Sequence, residues 1–170
     1  MELPEASRRL ITSTPGFAME VRVFPEGTKT ADDAAGAIGC PVAAIVKSLV
    51  FVVIDDQGHE EPVVALVPGD KRLDPEALAA AAGAVGSRRA SLDEVRDASG
   101  YSAGGTPPFG HLNPLRVFAD PALRRHDPVW AAAGTPTTVF PISIEDLDRL
   151  AQPAWREIVV PKPEFLAQNG

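Results

Sequence analysis

The sequence predicts an α+β fold, for three reasons. Two strongly apolar segments, Ile45–Ile54 and residues 62–67, are joined by a short turn at residues 55–58, which is the pattern of a β-hairpin. Several other segments begin with residues that cap helices. Strands and helices do not alternate regularly, as they would in a parallel α/β sheet. Together these features indicate hairpin-connected strands packed against helices.

The elements before residue 90 follow from apolar runs and from cap and turn residues. In order, we expect a helix over residues 5–12, an extended segment over 18–23, a turn at 25–27, a helix over 31–38, the two hairpin strands, and a helix from 74 to 83. Thr30 is the expected N-cap of the second helix, with Asp33 as the acidic residue three positions on. Gly39 is the expected left-handed residue that ends this helix. Asp74 followed by Pro75 is a favourable helix start.

The remaining elements are shorter. Ser91 and Glu94 form a capping-box pattern for a helix that ends near Gly100. After it we expect a long Gly/Pro loop over residues 100–114, strands over 115–119, 129–132 and 138–141, a helix from 143 to 151, and a strand at 158–160 within a tail that starts at 155. No internal repeat or interdomain linker is recognisable, so a single domain over residues 1–170 is expected.

The composition is that of a globular protein. A chain of 170 residues with 45% hydrophobic and 23% charged residues can bury one core. Acidic residues outnumber basic ones 23 to 16, for a net charge of −7, which argues against avid non-specific binding to nucleic acid. The single cysteine, Cys40, cannot form an intramolecular disulfide, and a reducing cytoplasm is expected. The longest apolar run, residues 49–54, is too short to span a bilayer, and no apolar signal segment begins the chain, so no membrane partner is expected.

Two short segments carry polar residues at unusual places. Lys47 interrupts an otherwise apolar strand. A buried ammonium group without a partner is unfavourable, so this side chain either reaches solvent or faces a carboxylate or a cleft. Gly69 and Asp70 follow the end of the second hairpin strand, where loops often gather ligand-binding groups. The alternative for this pair is a turn in which the aspartate caps the next segment.

The loop from Gly100 to His111, with the sequence GYSAGGTPPFGH, is the most unusual stretch of the chain. Its glycines let backbone N–H groups approach a ligand, and the pair Pro107-Pro108 stiffens it. A rigid loop with free amides can bind an anion or stabilise a developing oxyanion. It matches neither a P-loop nor a dinucleotide-binding turn. An inert surface connection is the alternative.

Searches for other chemistry give no candidate. His59, His111 and His126 show no metal-ligand spacing with one another or with Cys40, so no metal site is expected. No serine lies in a nucleophile motif. Four basic pairs would form a patch only if the fold brought them together: Arg8-Arg9, Lys71-Arg72, Arg88-Arg89 and Arg124-Arg125.

Four groups of residues occur in a specific order along the chain. They are Ile38-Gly39-Cys40-Pro41 with Ile45-Val46-Lys47-Ser48-Leu49-Val50-Phe51, then Val67-Pro68-Gly69-Asp70, then Ser99-Gly100-Tyr101-Ser102-Ala103-Gly104-Gly105-Thr106-Pro107-Pro108-Phe109-Gly110, and finally Ala133-Gly134-Thr135-Pro136. Each group alone is a weak motif, but their order and separations are specific. Over about residues 25–150, the chain resembles the YbaK/ProX family of aminoacyl-tRNA editing domains.

The resemblance implies both a fold and an activity. The implied fold is a mixed, barrel-like β-sheet flanked by helices. The implied activity is hydrolysis, in trans, of the ester bond of a tRNA mischarged with a small amino acid such as cysteine, alanine or serine, with tRNA(Pro)-type substrates favoured. The implied partners are mischarged aminoacyl-tRNA, held weakly by so acidic a protein, and an aminoacyl-tRNA synthetase. No cofactor is implied.

The resemblance also assigns roles to residues. Lys47 stands at the place of the family's functional lysine, and the resemblance implies that it acts in catalysis with Gly104 and Gly105. The residues expected to bind substrate are Lys47, Gly69, Asp70, Tyr101, Ser102, Thr106, Pro107 and Gly134. The family more often has another pair at Thr106-Pro107, so the identity of the amino acid stays open.

The lack of a recognisable nucleophile, base or metal site favours a mechanism based on positioning. Lys47 would neutralise the terminal phosphate or orient the substrate, loop amides would polarise the ester carbonyl, and water would attack. A ribose hydroxyl, or the thiol of a cysteinyl substrate, would supply the proton transfer or the nucleophile. Two other functions stay open: a non-catalytic module that binds aminoacyl-tRNA or a synthetase, and a hydrolase of another small ester or amide.

Overall fold

The computed structural model describes residues 2–28 and 30–162. Within them lie five α-helices: α1 (Glu5–Ser13), α2 (Ala31–Ile38), α3 (Pro75–Ala81), α4 (Leu92–Ser99) and α5 (Ile144–Ala151). The same residues contain ten strands: β1 (Arg22–Val23), β2 (Ile45–Ile54), β3 (Glu60–Pro68), β4 (Lys71–Leu73), β5 (Gly86–Arg89), β6 (Arg116–Ala119), β7 (Val129–Ala132), β8 (Thr138–Ile142), β9 (Ala154–Trp155) and β10 (Val159–Pro161). No helix among these residues is long and apolar enough to cross a membrane.

The main sheet has eight strands and mixed pairing. Its strand order is β1-β8-β7-β2-β3-β6-β9, and β5 pairs with β2 beside this path. The β2–β3 hairpin and the β7–β8 pair are antiparallel, whereas β2–β7, β3–β6 and β6–β9 are parallel. A second, two-stranded sheet joins β10 to β4. The predicted α+β class, with a mixed sheet flanked by helices, is confirmed.

The central hairpin is buried on both faces. Alternate residues of a strand point to opposite faces, and Val46, Val50 and Val52 of β2 belong to the main core, which also contains residues of α1, α4 and α5. Phe51 and Val53 belong to a second cluster that includes Leu78 of α3 and Val63 of β3. Burial on both faces explains why the sequence of β2 and β3 is a continuous apolar run rather than an alternating one.

The predicted helix starts are confirmed in atomic detail. The Thr30 side chain accepts a hydrogen bond from the Asp33 amide, and Gly39 ends α2 with φ +86°. Ser91 and Glu94 form a complete capping box at the start of α4. Asp74 accepts hydrogen bonds from two amides of α3. Local cap chemistry therefore sets these boundaries.

Three strands were missed by the sequence prediction: β4, β5 and β9. They contain only two to four residues each, and charged residues dominate β4 and β5, so no apolar periodicity marks them. They are strands because of their partners: β5 pairs with β2, β4 with β10, and β9 with β6. The buried carboxylate of Asp120 accepts a hydrogen bond from the Ile158 amide at 2.9 Å, which fixes the segment that leads into β10.

Candidate active site

A pocket of about 330 Å³ opens between α2, the strands β2, β7 and β8, and the Gly/Pro loop. Its apolar end is lined by Ala31, Ala34, Ile45, Trp130 and Val139, and its polar end by Lys47, Ser48, Gly104, Thr106 and Lys162. The pocket therefore brings together Lys47 and two residues of the loop, which are far apart in the sequence. Its size is at the low end of the range of about 300–1,000 Å³ for small-molecule sites.

Lys47 lies at the polar end of this pocket, half-buried. Its Nζ donates a hydrogen bond to the carbonyl oxygen of Lys71 at 2.6 Å. Burial lowers the pKa of Lys47 to about 8, and the positive charge of Lys162 lowers it further, while the carboxylates of Asp70 and Asp32 act in the opposite direction. The side chain therefore faces a cleft, which is one of the placements that the sequence left open. With a pKa of about 8, it keeps its charge near neutral pH.

Two buried polar atoms near Lys47 have no hydrogen-bond partner among the described residues. They are Oγ of Ser48 and one carboxylate oxygen of Asp70. Ser48 follows Lys47 in β2 and lines the same pocket, together with Thr106 of the loop. Buried polar groups are usually paired, and unpaired ones often mark a functional site. The sequence prediction did not include Ser48; its position next to Lys47 was the only indication.

Gly69, a predicted binding residue, has a packing role. A Cβ at this position would lie 2.5 Å from the carbonyl oxygen of Val42 and 2.8 Å from Cβ of Ala31. Its amide donates a hydrogen bond to the carbonyl of Ile45 at 2.8 Å. Only glycine lets the end of β3 approach α2 this closely. Asp70 follows directly and places its carboxylate close enough to Lys47 to affect the pKa of the lysine.

The two loop glycines have different surroundings. Gly104 lines the pocket, is exposed, and has φ +85°. Gly105 is buried: its amide donates to the carbonyl of Ser102 at 3.0 Å, and its carbonyl accepts from the amide of Gly134 at 3.0 Å. A Cβ on Gly105 would lie 2.7 Å from Cα of Thr135. The sequence predicts that Gly105 acts in catalysis; in the structure its amide is engaged within a turn.

Thr106, the residue after Gly105, also lines the pocket. Its hydroxyl donates a hydrogen bond to the carbonyl oxygen of Ser102 at 3.0 Å. Within residues 2–28 and 30–162, the amides of Gly104 and Thr106 donate no hydrogen bond. Both residues line the pocket, so these two amides are available to a ligand there.

The other predicted binding residues lie outside the lining of this pocket: Tyr101, Ser102, Pro107 and Gly134. Tyr101 is buried and packs under the guanidinium group of Arg9. The carbonyl of Pro107 is 2.8 Å from Nε2 of the mostly buried His111, and burial lowers the pKa of that histidine. These residues lie beside the pocket rather than in its lining, and their contact with substrate stays a prediction.

The loop is not an inert surface connection. Residues 105–109 are buried, and the ring of Phe109 packs edge-to-face against Phe17 and Phe140 at 6.2 and 5.8 Å between centroids. Tyr101 and Phe109 anchor the loop in the main core, and between Gly100 and His111 only Ala103 and Gly104 are exposed. No group of three His, Cys, Asp or Glu side chains in the described part of the chain could hold a metal ion.

Comparison with known proteins identifies the family. The model of the aminoacyl-tRNA editing domain matches residues 25–150, which is most of the chain. This protein belongs to the aminoacyl-tRNA editing domain family. Lys47, Asp70 and the loop that carries Gly104 all fall inside the matched region.

Two relatives are similar to this chain in sequence. The uncharacterized protein YwhH of Bacillus subtilis (strain 168) is 28% identical over 133 residues, 78% of this chain and 81% of YwhH. The proline–tRNA ligase of Thermosipho africanus is 32% identical over 103 residues, 61% of this chain but only 17% of the ligase. The chain therefore corresponds to a small part of the synthetase.

Solved structures give the same answer for the editing-domain fold. A crystal structure of a candidate trans-editing enzyme for prolyl tRNA synthetase superposes with a TM-score of 0.83 and 33% identity, over 94% of this chain and 99% of that one. The hypothetical protein APE2540 superposes with a TM-score of 0.77 over 92% of this chain and 100% of that one. At 24% identity, the second match supports the fold alone.

Proposed function

We propose that this protein hydrolyses the ester bond of a mischarged aminoacyl-tRNA in trans, and that the amino acid released is small. The observation that carries the proposal is the pocket itself, where an apolar end adjoins an ammonium group and the tip of a glycine loop. Membership of the editing domain family supports a deacylase role. The candidate trans-editing enzyme for prolyl tRNA synthetase, matched over nearly its whole length, favours tRNA(Pro)-type substrates and action in trans.

The chemistry of the pocket suggests how the substrate lies in it. The aminoacyl side chain would enter the apolar end between Ala31, Ala34 and Trp130. A volume of about 330 Å³ favours a side chain such as that of alanine, serine or cysteine over a large one, because part of the space must hold the ester and the ribose. The ester would then lie at the polar end, beside Lys47 and Gly104.

The proposed reaction uses water as the nucleophile. The water oxygen bonds to the ester carbonyl carbon, the bond from that carbon to the ribose oxygen breaks, and the ribose oxygen takes up a proton. The amide of Gly104 or Thr106 would stabilise the negative charge that develops on the carbonyl oxygen. Lys47 would hold the nucleotide end through its positive charge, and Ser48 would hydrogen-bond the substrate or the water. A neighbouring ribose hydroxyl, or the thiol of a cysteinyl substrate, would assist.

A panel of aminoacyl-tRNAs tests the proposal. The protein is incubated with tRNA(Pro) charged with alanine, serine, cysteine or proline, and release of the amino acid is compared with hydrolysis without protein. We expect accelerated release of at least one small amino acid and none of proline. Binding of the charged tRNA without release would instead identify a binding module, and release from a small synthetic ester but not from any tRNA would identify a different hydrolase.

A further inference from the structure

A second groove adjoins the pocket and is lined by basic side chains. It has a volume of about 420 Å³ and is lined by Lys47, Arg72, Arg88 and Arg89 together with Leu49, Phe51, Leu73 and Pro75. No carboxylate lines it. In a protein whose net charge is −7, four basic residues around one groove form a local positive site. The fold has brought Arg72 of β4 together with the basic pair Arg88-Arg89 of β5.

The four basic groups differ in their partners. Arg88 is neutralised, because it binds Glu60 at 2.9 Å and Glu94 at 2.8 Å. Within the described residues, Arg72 and Arg89 form no ion pair. Arg89 instead lies over the ring of Phe51, 5.9 Å from its centroid, a contact that restrains the guanidinium group without cancelling its charge. Arg72 and Arg89 therefore offer unneutralised charge at the surface of the groove.

The groove adjoins the pocket. Lys47 and Leu49 line both of them, so a ligand in the pocket that extends past these two residues reaches the groove. Arg89 lowers the pKa of Lys47, as expected when like charges share one region. If the pocket holds an amino acid attached to the end of a polymer, the rest of the polymer must leave the pocket through an adjoining groove. The basic side chains along this groove favour a polymer that is negatively charged.

We propose that this groove binds the ribose-phosphate backbone of the single-stranded 3′ end of an RNA, with Arg72 and Arg89 contacting phosphate oxygens. Guanidinium groups bind phosphate through two parallel hydrogen bonds, which suits this contact. The inference rests on the proposed function for the identity of the polymer. With only two unneutralised arginines, the binding should be weak and sensitive to salt.

Fluorescence anisotropy with a short, uncharged, single-stranded RNA ending in CCA, the 3′ sequence of tRNAs, tests the inference. Wild-type protein, the double variant Arg72→Gln/Arg89→Gln, and the control Arg125→Gln are titrated over a range of NaCl concentrations. Arg125 is also exposed, but it lies outside the groove. We expect the double variant to bind about tenfold more weakly at low salt, with the slope of log Kd against log salt reduced by roughly 1.4, or about 0.7 for each phosphate contact. The Arg125 variant should bind as the wild type does.

Four results would overturn the inference: binding by the double variant within about twofold of wild type, an equal loss in the Arg125 variant, tighter binding of a polyaspartate peptide than of the RNA, or displacement of the RNA by inorganic phosphate at the same concentration of phosphate groups. The last result would show that the groove binds single anions rather than a backbone. Because the RNA carries no amino acid, the outcome is independent of hydrolysis. A failure here is therefore distinct from a failure of the deacylase proposal.

Discussion

The ammonium nitrogen of Lys47 lies 2.6 Å from the carbonyl oxygen of Lys71, which connects the central strand of the main sheet to the short strand β4 of the second sheet. The contact holds the ammonium group at the boundary between the pocket and the basic groove, since Lys47 lines both. Burial also lowers the pKa of Lys47 to about 8. The lysine is therefore positioned by the fold, charged at neutral pH, and closer to losing its proton than an ordinary lysine.

The first prediction concerns pH. If Lys47 acts as a cation, the enzyme-dependent rate should fall as the pH rises through about 8, once hydrolysis without protein is subtracted. In a Lys47→Arg variant that remains active, this decrease should be absent over the same range, because arginine keeps its proton. A rate that rises through pH 8 would indicate that neutral Lys47 acts as a base.

The lowered pKa of Lys47 also affects the stability of the protein. Its contribution to stability should rise with pH, whereas the reaction rate should fall. The ordinary pKa of lysine is 10.5 and that of folded Lys47 about 8. Between these values the unfolded chain binds more protons than the folded one, so the contribution of this residue to stability should increase as the pH rises from 8 to 10.5. Comparing the pH dependence of unfolding for wild type and Lys47→Met isolates this contribution. Identical profiles would contradict the pKa shift.

The second prediction distinguishes a catalytic role of the backbone at Gly104 from the strain that alanine causes at any position with positive φ. Gly104 and Gly58 have nearly equal φ values of +85° and +83°, and a Cβ would meet no atom closer than 3.9 Å at either position. Alanine at each site should therefore lower stability by a similar amount, about 1–2 kcal/mol. Only Gly104→Ala should reduce turnover, on the order of 10²-fold, because Gly104 lines the pocket. Equal turnover in the two folded variants would exclude Gly104 from catalysis.

The third prediction assigns Gly105 to structure rather than to chemistry. A Cβ on Gly105 would lie 2.7 Å from Cα of Thr135 and 2.8 Å from the carbonyl oxygen of Gly134, and backbone atoms cannot easily move away. Gly105→Ala should lower stability by roughly 1–3 kcal/mol, as overpacking does. In Gly16→Ala, the matched control, no atom lies within 4 Å of the new Cβ. Thermal unfolding measures both; an unchanged melting temperature for Gly105→Ala would contradict the packing argument.

The fourth prediction uses the unpaired hydroxyl of Ser48. Its removal breaks no hydrogen bond among the described residues, so Ser48→Ala should keep or slightly raise the melting temperature. If the hydroxyl binds substrate, kcat/KM should fall about two- to tenfold, the equivalent of ~0.5–1.5 kcal/mol for one hydrogen bond.

Ser99→Ala is the matched control for this variant. The Ser99 hydroxyl donates to the Val95 carbonyl at 2.6 Å and accepts from the Tyr101 amide at 3.1 Å. Its removal should lower the melting temperature, because a buried amide loses its acceptor. Should Ser48→Ala behave like Ser99→Ala, losing stability in proportion to activity, the role of Ser48 would be structural.

Local chemistry made much of the fold predictable from the sequence. The capping residues Thr30, Asp74 and Ser91 start helices where they were expected to, because a cap satisfies amides within its own turn. The strands β4 and β5 could not be found in this way. They depend on pairing with distant partners, and pairing leaves no pattern in a segment such as Gly86–Arg89.

The candidate site was predictable only in part. The sequence marks Lys47 as the one charged residue in an apolar strand, and it marks Gly104 as part of an unusual loop. The structure brings both residues to one pocket. Ser48 and Trp130 were missed, since a serine or a tryptophan in a strand has nothing unusual about it until its surroundings are known. The sequence also could not distinguish Gly104 from Gly105, because only the tertiary contacts show which amide a turn has already used.

The most direct test of the account is the rate of amino-acid release from the best mischarged tRNA of the panel, measured for wild type and for Lys47→Met. Methionine keeps most of the length of the side chain and removes the charge, at the cost of the hydrogen bond to Lys71, about 1 kcal/mol. We expect release well above the uncatalysed rate for wild type and release at the uncatalysed rate for a folded Lys47→Met. A folded Lys47→Met protein that releases the amino acid at the wild-type rate would contradict this expectation.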